Sequence, residues 1–494
     1  MTTGGYDTVI IGSGASGLCA ALTLARHGQR VALVEQHEQV APLLRRFRRD
    51  GLWCDVGLHY VGGLHASGPL SVIFRYLGLA DLIQARPLNV DGYDILHVGD
   101  REPIRLPVGT DRVRETLVHH FPRSRDAIDA YVDRILAIQR NTPFLSFSHP
   151  GDPREMHAAI GGSESLAAFL DSHGAEPDLQ RVLSRVGFFL YGMEAHECPL
   201  VLHAIVLGSF FFSAQRLTGG GDGFVHAFEH ELAETGVEIF CGRRVVGVET
   251  DAQRRLRGVR LAGDEVIECH ACVCTIHPHL LPNLLAPRSV RPSFLKRLSD
   301  MENTFGIMAV YLEIDDPPDE LRASNVYFLG DEQDSWRPEA GLAALACGDG
   351  AQDAERRSLS LFRPLAAPAS NPGTQRGHRT RDTAYGAYKR SETERNIELF
   401  LHHYPSQRGG FRVLDAATPS TFESYTGTVA GAAYGLKHST NQWGLQATTP
   451  IKDLYLAGQS VLAPGLLGAM ISSLLAVSHI LGHETVWNEI RKCR

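Results

Sequence analysis

Near the N-terminus, the run Val9-Ile10-Ile11-Gly12-Ser13-Gly14-Ala15-Ser16-Gly17 breaks a short apolar stretch with three glycines in the spacing G-x-G-x-x-G. Set between a strand and a helix, that spacing can hold a pyrophosphate. The first glycine permits a tight turn, the second lets backbone approach the phosphates, and the third lets helix and strand pack closely. The phosphates then meet a helix N-terminus, where unpaired N–H groups and the helix dipole favour negative charge. Glu35 follows at the end of a second apolar run. About twenty residues past the glycines is where a carboxylate accepts both ribose hydroxyls of a dinucleotide, and an acid there disfavours a 2′-phosphate.

Other residues with chemical reach are fewer. His59 and Tyr60 follow the turn Asp55-Val56-Gly57. A histidine there could supply a proton near neutral pH, or could simply bond a backbone carbonyl. Tyr60 could assist or could only pack. Cys269, Cys272 and Cys274 precede His277 and His279 and invite a zinc reading, but they do not form two paired Cys-x-x-Cys units. The stretch Ala271–Ile276 also alternates as a strand does, so no metal is expected.

These residues need elements to position them. Asp7–Gly12 reads as a strand, Leu18–His27 as a helix stopped by Gly28, and Arg30–Glu35 as a second strand. Residues 70–215 are mostly helical in pattern, with Val113–His120, Arg125–Gln139 and Ser163–His173 as the clearest cases. After Gly219-Gly220-Gly221 come a helix, Phe224–Thr235, and strand-like runs at Glu238–Phe240, Arg244–Glu249, Arg257–Leu261 and Ala271–Thr275. Residues 290–415 are mixed, and Pro364–Arg381 reads as an exposed loop. Asp453–Gly458 is a strand leading through a Pro-Gly turn into a final apolar helix. The expectation is an α/β chain of two discontinuous domains. A Rossmann-like nucleotide domain is drawn from residues 1–75, 215–290 and 411–494, and an α+β substrate domain from 76–214 and 291–410.

Bulk properties agree. A chain of 494 residues exceeds one ordinary core, and 44% hydrophobic with 21% charged residues is a globular mixture. A net charge of −8 argues against nucleic acid as a partner. Nine cysteines without a secreted pattern point to reduced thiols and a cytoplasmic protein. The two most apolar stretches, Leu200–Phe212 and Leu462–Leu481, read as packed core helices, with peripheral membrane contact left open.

Several further segments carry a family likeness: Val34-Glu35-Gln36-His37, Asp50–Gly62, Leu217-Thr218-Gly219-Gly220, Ala432-Ala433-Tyr434-Gly435, Leu454–Gln459 and Pro464–Ala469. Together they resemble the retinol saturase branch of the phytoene-desaturase and carotenoid-isomerase flavoproteins. The resemblance implies a glutathione-reductase-like or amine-oxidase-like FAD domain. It implies that Gly12, Ser13, Gly14, Ala15, Ser16, Gly17, Glu35 and Gln36 hold the ADP half of FAD, with Val245 meeting the adenine through its backbone. Gly458, Gln459, Leu467, Gly468 and Ala469 would flank the ribityl chain and flavin ring. Two positions depart from the family pattern. Ala41-Pro42 replaces a Gly-Gly pair, and Ser460 replaces an acid, so the loop path near the pyrophosphate must differ.

The implied reaction is reduction of a C=C bond in a hydrophobic conjugated or isoprenoid substrate, free or tethered to a carrier protein. Alternatives are a desaturase or oxidase of the same substrates, a non-redox polyene isomerase, or a non-catalytic lipid escort protein. The aromatic runs Phe188-Phe189-Leu190-Tyr191 and Phe210-Phe211-Phe212 suit a greasy tunnel. No second glycine fingerprint follows a strand. Electrons would therefore come from NAD(P)H bound transiently or from a separate donor, or leave to an acceptor if the reaction ran in reverse.

Overall fold

The computed structural model describes residues 5–149, 160, 162–330, 340–346, 357–365, 383–442 and 444–494. Its first layer grows from the strand Tyr6–Ile11, whose Ile10 enters the core on one face and whose Tyr6, Val9 and Ile11 enter that on the other. It pairs in parallel with Val31–Val34 on one side and Val266–Cys274 on the other. Glu238–Phe240 adds to the first edge and Leu454–Leu456 pairs with the end of Val266–Cys274, both in parallel. Two antiparallel strands, Leu256–Leu261 and Val245–Thr250, complete this sheet. Parallel strands covered on both faces read as continuous apolar runs, as Val31–Val34 does and as Val9–Ile11 and Ala271–Cys274 do where they pair. The helices Ala15–Arg26, Gly220–Glu234 and Gly465–Leu481 share one core with the sheet. The strand order brings Gly12, Thr275 and Gly458 together at the carboxyl ends of adjacent strands, the place where open α/β sheets bind ligands.

A second seven-stranded sheet runs in the order Phe411–Ala417, Gly306–Ile314, Arg357–Leu365, Leu342–Ala346, Asn325–Phe328, Asp94–His97, Ile104–Leu106. It is antiparallel except where Asn325–Phe328 lies parallel to Asp94–His97. Period-two alternation divides its side chains between two cores. Ala309, Tyr311, Tyr327, Ala343 and Phe362 face a core shared with the helices Arg125–Asn141, Pro177–Tyr191 and Leu200–Phe210. Met308, Val310, Leu312, Val326 and Leu361 face the core that also takes Phe400 and Leu401 of the helix Thr383–His403.

Several expectations change here. The strand Phe411–Ala417, placed by sequence with the C-terminal nucleotide segment, is an edge of the second sheet, with Ala309 opposite Ala417. Asp94–His97 and Ile104–Leu106 are strands inside a stretch whose pattern is helical; at three and four residues they are too short to show a period. Of the expected loop Pro364–Arg381, the first two residues end the strand Arg357–Leu365, and the remainder lies outside the described residues. Among the described residues no helix is long and apolar enough to cross a membrane. The described cysteines are all free thiols.

A small third sheet ties the layers together. Ala214–Leu217 pairs with Val61–Gly62 and with Ala85–Pro87, so the chain crosses between the two large cores beside His59 and Tyr60.

Candidate active site

The three motif glycines are glycine for two different reasons. A Cβ on Gly17 would lie 1.9 Å from the Gly12 carbonyl oxygen, and one on Gly12 would lie 2.7 Å from Thr275 Oγ1, with the backbone already at φ +96°. Both are closed by the protein itself. A Cβ on Gly14 would meet nothing within 4 Å, so that glycine faces open space, as backbone must where it approaches a pyrophosphate. The helix beginning at Ala15 has no side-chain cap and no acid in its first turn, leaving its terminal N–H groups for an anion. Ser16 Oγ donates to the Ala469 carbonyl at 2.9 Å, and Ser473 Oγ donates to that of Ser16 at 2.6 Å. These bonds lock the helix Gly465–Leu481 against the motif. That second helix is also uncapped and free of acids in its first turn.

Glu35 is 6% exposed. Its Oε2 accepts from Ser13 N–H at 2.9 Å and from Ser13 Oγ at 2.6 Å, and its Oε1 accepts from His37 N–H at 2.9 Å. A carboxylate has about four acceptor positions, so capacity for a ribose hydroxyl remains. Gln36 is exposed at the rim, and Arg243 N–H donates to the Glu35 carbonyl at 2.9 Å, which sets the start of the Val245 strand beside it. The Ala41-Pro42 departure has a physical account. Ala41 is held at φ +50°, in the left-handed region that glycine would occupy without strain, and its N–H donates to Ser13 Oγ at 2.7 Å. Ser13 thus bridges Glu35 and the loop. Ser460 does internal work instead of an acid's: its Oγ accepts from Leu436 N–H at 3.2 Å. Gly458 N–H donates to Ser472 Oγ at 3.1 Å, Gln459 Nε2 donates to the Ala433 carbonyl at 3.3 Å, and a Cβ on Gly468 would lie 2.2 Å from the Ala463 carbonyl. This donor set, open space at Gly14 and two bare helix ends fit a flavin adenine dinucleotide.

The segment from Leu58 to Val61 runs along the seam of the molecule. Leu58 and Val61 belong to the nucleotide-side core, whereas Tyr60 packs on the core under the second sheet. His59 packs against Phe362 with ring centroids 4.7 Å apart and bonds the Val56 backbone. Burial, reinforced by the Arg216 guanidinium, pushes its imidazole down to about 4. Near pH 7 it is therefore the neutral imidazole, without the second ring proton of an imidazolium. Tyr60 is different. Its Oη lies 2.9 Å from Asp94 Oδ2 and 2.8 Å from Tyr327 Oη. Asn325 Nδ2 donates to Asp94 Oδ1 at 2.8 Å, and Arg216 Nη2 donates to Asn325 Oδ1 at 2.9 Å. Asp94 has no exposed surface, and that burial lifts its carboxyl to about 7 despite these donors. Sequence reasoning missed Asp94, Asn325, Tyr327 and Arg216. The one signal was an acid standing inside the apolar run Tyr93-Asp94-Ile95-Leu96.

A chain of ring contacts continues from this seam. Phe188 stacks on Phe305 at 4.7 Å, Phe305 meets Tyr434 at 6.0 Å, and Tyr434 donates its hydroxyl to the Phe189 carbonyl. Phe189 meets Tyr327 at 5.5 Å, and Tyr60 meets Phe210 at 4.8 Å. These contacts run from the Gln459–Ala433 bond to Tyr60. Only part of the two aromatic runs takes part. Tyr191 turns away to bond His203 Nδ1 at 2.9 Å, and Phe212 stacks on His65 at 5.3 Å.

Residues 15–481 match the family described as flavin containing amine oxidoreductase. The chain belongs to this family. It is an FAD-dependent oxidoreductase of the Rossmann-like amine-oxidase fold. It is 24% identical over 530 residues to a protein named all-trans-retinol 13,14-reductase from Danio rerio, covering 97% of this chain and 86% of that one. It is 21% identical to 4,4'-diapophytoene desaturase of Staphylococcus aureus, covering 91% of this chain and 93% of the relative. An oxidoreductase structure from Methanosarcina mazei shares the fold, with a TM-score of 0.67, 13% identity, and coverage of 95% and 99% of the two chains.

Proposed function

We propose that this enzyme reduces a C=C bond of a hydrophobic conjugated or isoprenoid substrate, free or tethered to a carrier protein. Alignment along almost the whole chain with a relative named for reduction of a polyene bond supports the direction. The observation that carries the reading is the contact between the Tyr60 and Tyr327 hydroxyls, set among aromatic rings at the seam beside the nucleotide layer. When bound, the flavin supplies a hydride equivalent to one carbon of the double bond. The rest is work for the chain. Phe188, Phe189, Phe210, Phe305 and Tyr434 hold an extended apolar ligand and keep water from it. Tyr60 Oη presents a proton for the neighbouring carbon. His59, neutral and packed on Phe362, shapes the wall. Reducing equivalents come from NAD(P)H bound transiently or from a separate donor protein.

The test is anaerobic. FAD-loaded protein is photoreduced and mixed with all-trans-retinol. Return of the oxidised flavin spectrum, with a product two hydrogens heavier, is the expected result. A desaturase would leave the reduced flavin untouched and bleach oxidised flavin with the saturated compound. An isomerase would do neither while still changing the retinol isomer, and an escort protein would carry no flavin.

A further inference from the structure

We propose that Asp94 is the reserve acid behind Tyr60: it carries, on Oδ2, the proton that replaces the one Tyr60 gives to the substrate. The inference rests on the reductase reading above and extends it to residues that lie one layer behind the wall.

The position of the proton follows from the hydrogen-bond chain. An arginine only donates, so the 2.9 Å bond from Arg216 Nη2 fixes which end of the Asn325 amide is its oxygen. The Asn325 amide nitrogen must then face Asp94, and it donates to Oδ1 at 2.8 Å. Oδ1 is thereby the accepting, carbonyl-type oxygen, which leaves Oδ2 as the oxygen that bears hydrogen when the acid is neutral. Oδ2 is the atom 2.9 Å from Tyr60 Oη. The neutral acid can donate to Tyr60, and Tyr60 in turn can point its own hydrogen away from Asp94.

The surroundings of Asp94 are Tyr60 on the seam segment, Tyr93 beside it in the chain, Arg216 on the strand Ala214–Leu217, and Asn325 and Tyr327 on the neighbouring parallel strand. No second carboxylate is among these groups. Burial lifts the acid to about 7, so both protonation states are within reach at neutral pH.

Tyr60 needs such a neighbour. After giving up its proton it would be a phenolate, and burial together with Asp94 and Tyr327 already holds its hydroxyl well above the ordinary phenol range. A lasting phenolate there is costly. In the balanced step, one carbon gains the hydride equivalent while the Tyr60 O–H bond breaks and a C–H bond forms at the adjacent carbon. The Asp94 O–H bond then breaks as the Tyr60 O–H bond re-forms. The substrate gains two electrons, which are those the reduced flavin loses. Asp94, left as a carboxylate, recovers a proton from water once product departs.

The experiment compares wild type, Asp94→Asn and Tyr60→Phe, each loaded with FAD. First, infrared spectra without substrate should show a buried carboxylic acid C=O band that titrates near neutrality in wild type, persists in Tyr60→Phe and is lost in Asp94→Asn. Second, single-turnover reoxidation of photoreduced protein by all-trans-retinol should fall with rising pH through neutrality in wild type. It should be about 100-fold slower in both variants, with the Asp94→Asn profile flat. A wild type that turns over while Asp94→Asn matches its rate and its pH limb overturns the role of Asp94 and leaves the reductase reading standing. A wild type that never reoxidises retires both. Should Asp94→Asn fail to fold, absence of the wild-type acid band at neutral pH overturns the proposal by itself.

Discussion

Asp94→Asn should stabilise the folded protein, and by more the higher the pH. In the unfolded chain this carboxyl ionises with an ordinary value of 3.8, whereas burial in the fold lifts it to about 7. Below about pH 4 both states carry the proton and the site contributes nothing either way. As pH rises the unfolded chain gives up its proton while the fold must keep it, so stability is lost progressively until about pH 7. At 1.36 kcal/mol for each pH interval of one, the full cost is about 4 kcal/mol. Asparagine reproduces the neutral acid, accepting from Asn325 and donating to Tyr60, with no ionisation to oppose. The buried histidines slope the other way. His59 and His277 are pushed down to about 4 and His203 to about 3, so their contribution is lost as pH falls below the ordinary histidine range. That slope is common to both proteins and cancels in their difference. Urea unfolding of the two flavin-loaded proteins at about pH 5 and about pH 8 measures it, and the advantage of the asparagine variant should grow by about 3 kcal/mol between them. A gap that stays constant with pH, or wild type being the more stable at about pH 8, would refute the buried neutral acid.

Three further outcomes concern the rest of the site. Glu35→Ala removes the acceptor from Ser13 and from the ribose; flavin affinity should fall by roughly 30- to 100-fold, about 2–3 kcal/mol, measured by equilibrium dialysis against FAD. Gly14→Ala should leave the melting temperature of the flavin-free protein unchanged while abolishing flavin uptake, because its Cβ enters open space; Gly17→Ala should lower that melting temperature, because its Cβ would strike the Gly12 carbonyl. His59 should titrate by NMR near 4, and His59→Gln should leave the neutral limb of the turnover profile in place.

How much of this could be read beforehand depended on how far apart the cooperating residues lie. The nucleotide half is local: Gly12, Gly14, Gly17 and Glu35 sit within one strand–helix–strand unit, and its strand Tyr6–Ile11 falls one residue from the expected Asp7–Gly12. The helix begins at Ala15, three residues earlier than expected, because Gly17 reads as turn chemistry yet is needed inside the first turn for its close approach to Gly12. The half proposed to handle protons has no such locality. Tyr60 meets Tyr327 across 267 residues and Asp94 meets Asn325 across 231, and the parallel pairing that aligns them joins two strands of four residues each. A strand that short carries no period, and an aspartate within it looks like any solvated acid until the neighbouring strand is known. The same distance explains His59. Histidine was the natural candidate for a proton because its ordinary value lies near neutrality. Burial against Phe362, with the Arg216 guanidinium from the third sheet, moves it out of that range, while burial moves the Asp94 carboxyl into it. Burial penalises the charged form of both groups, so it lowers the base and raises the acid. In this seam one physical cause therefore moves the imidazole away from neutrality and the carboxyl towards it.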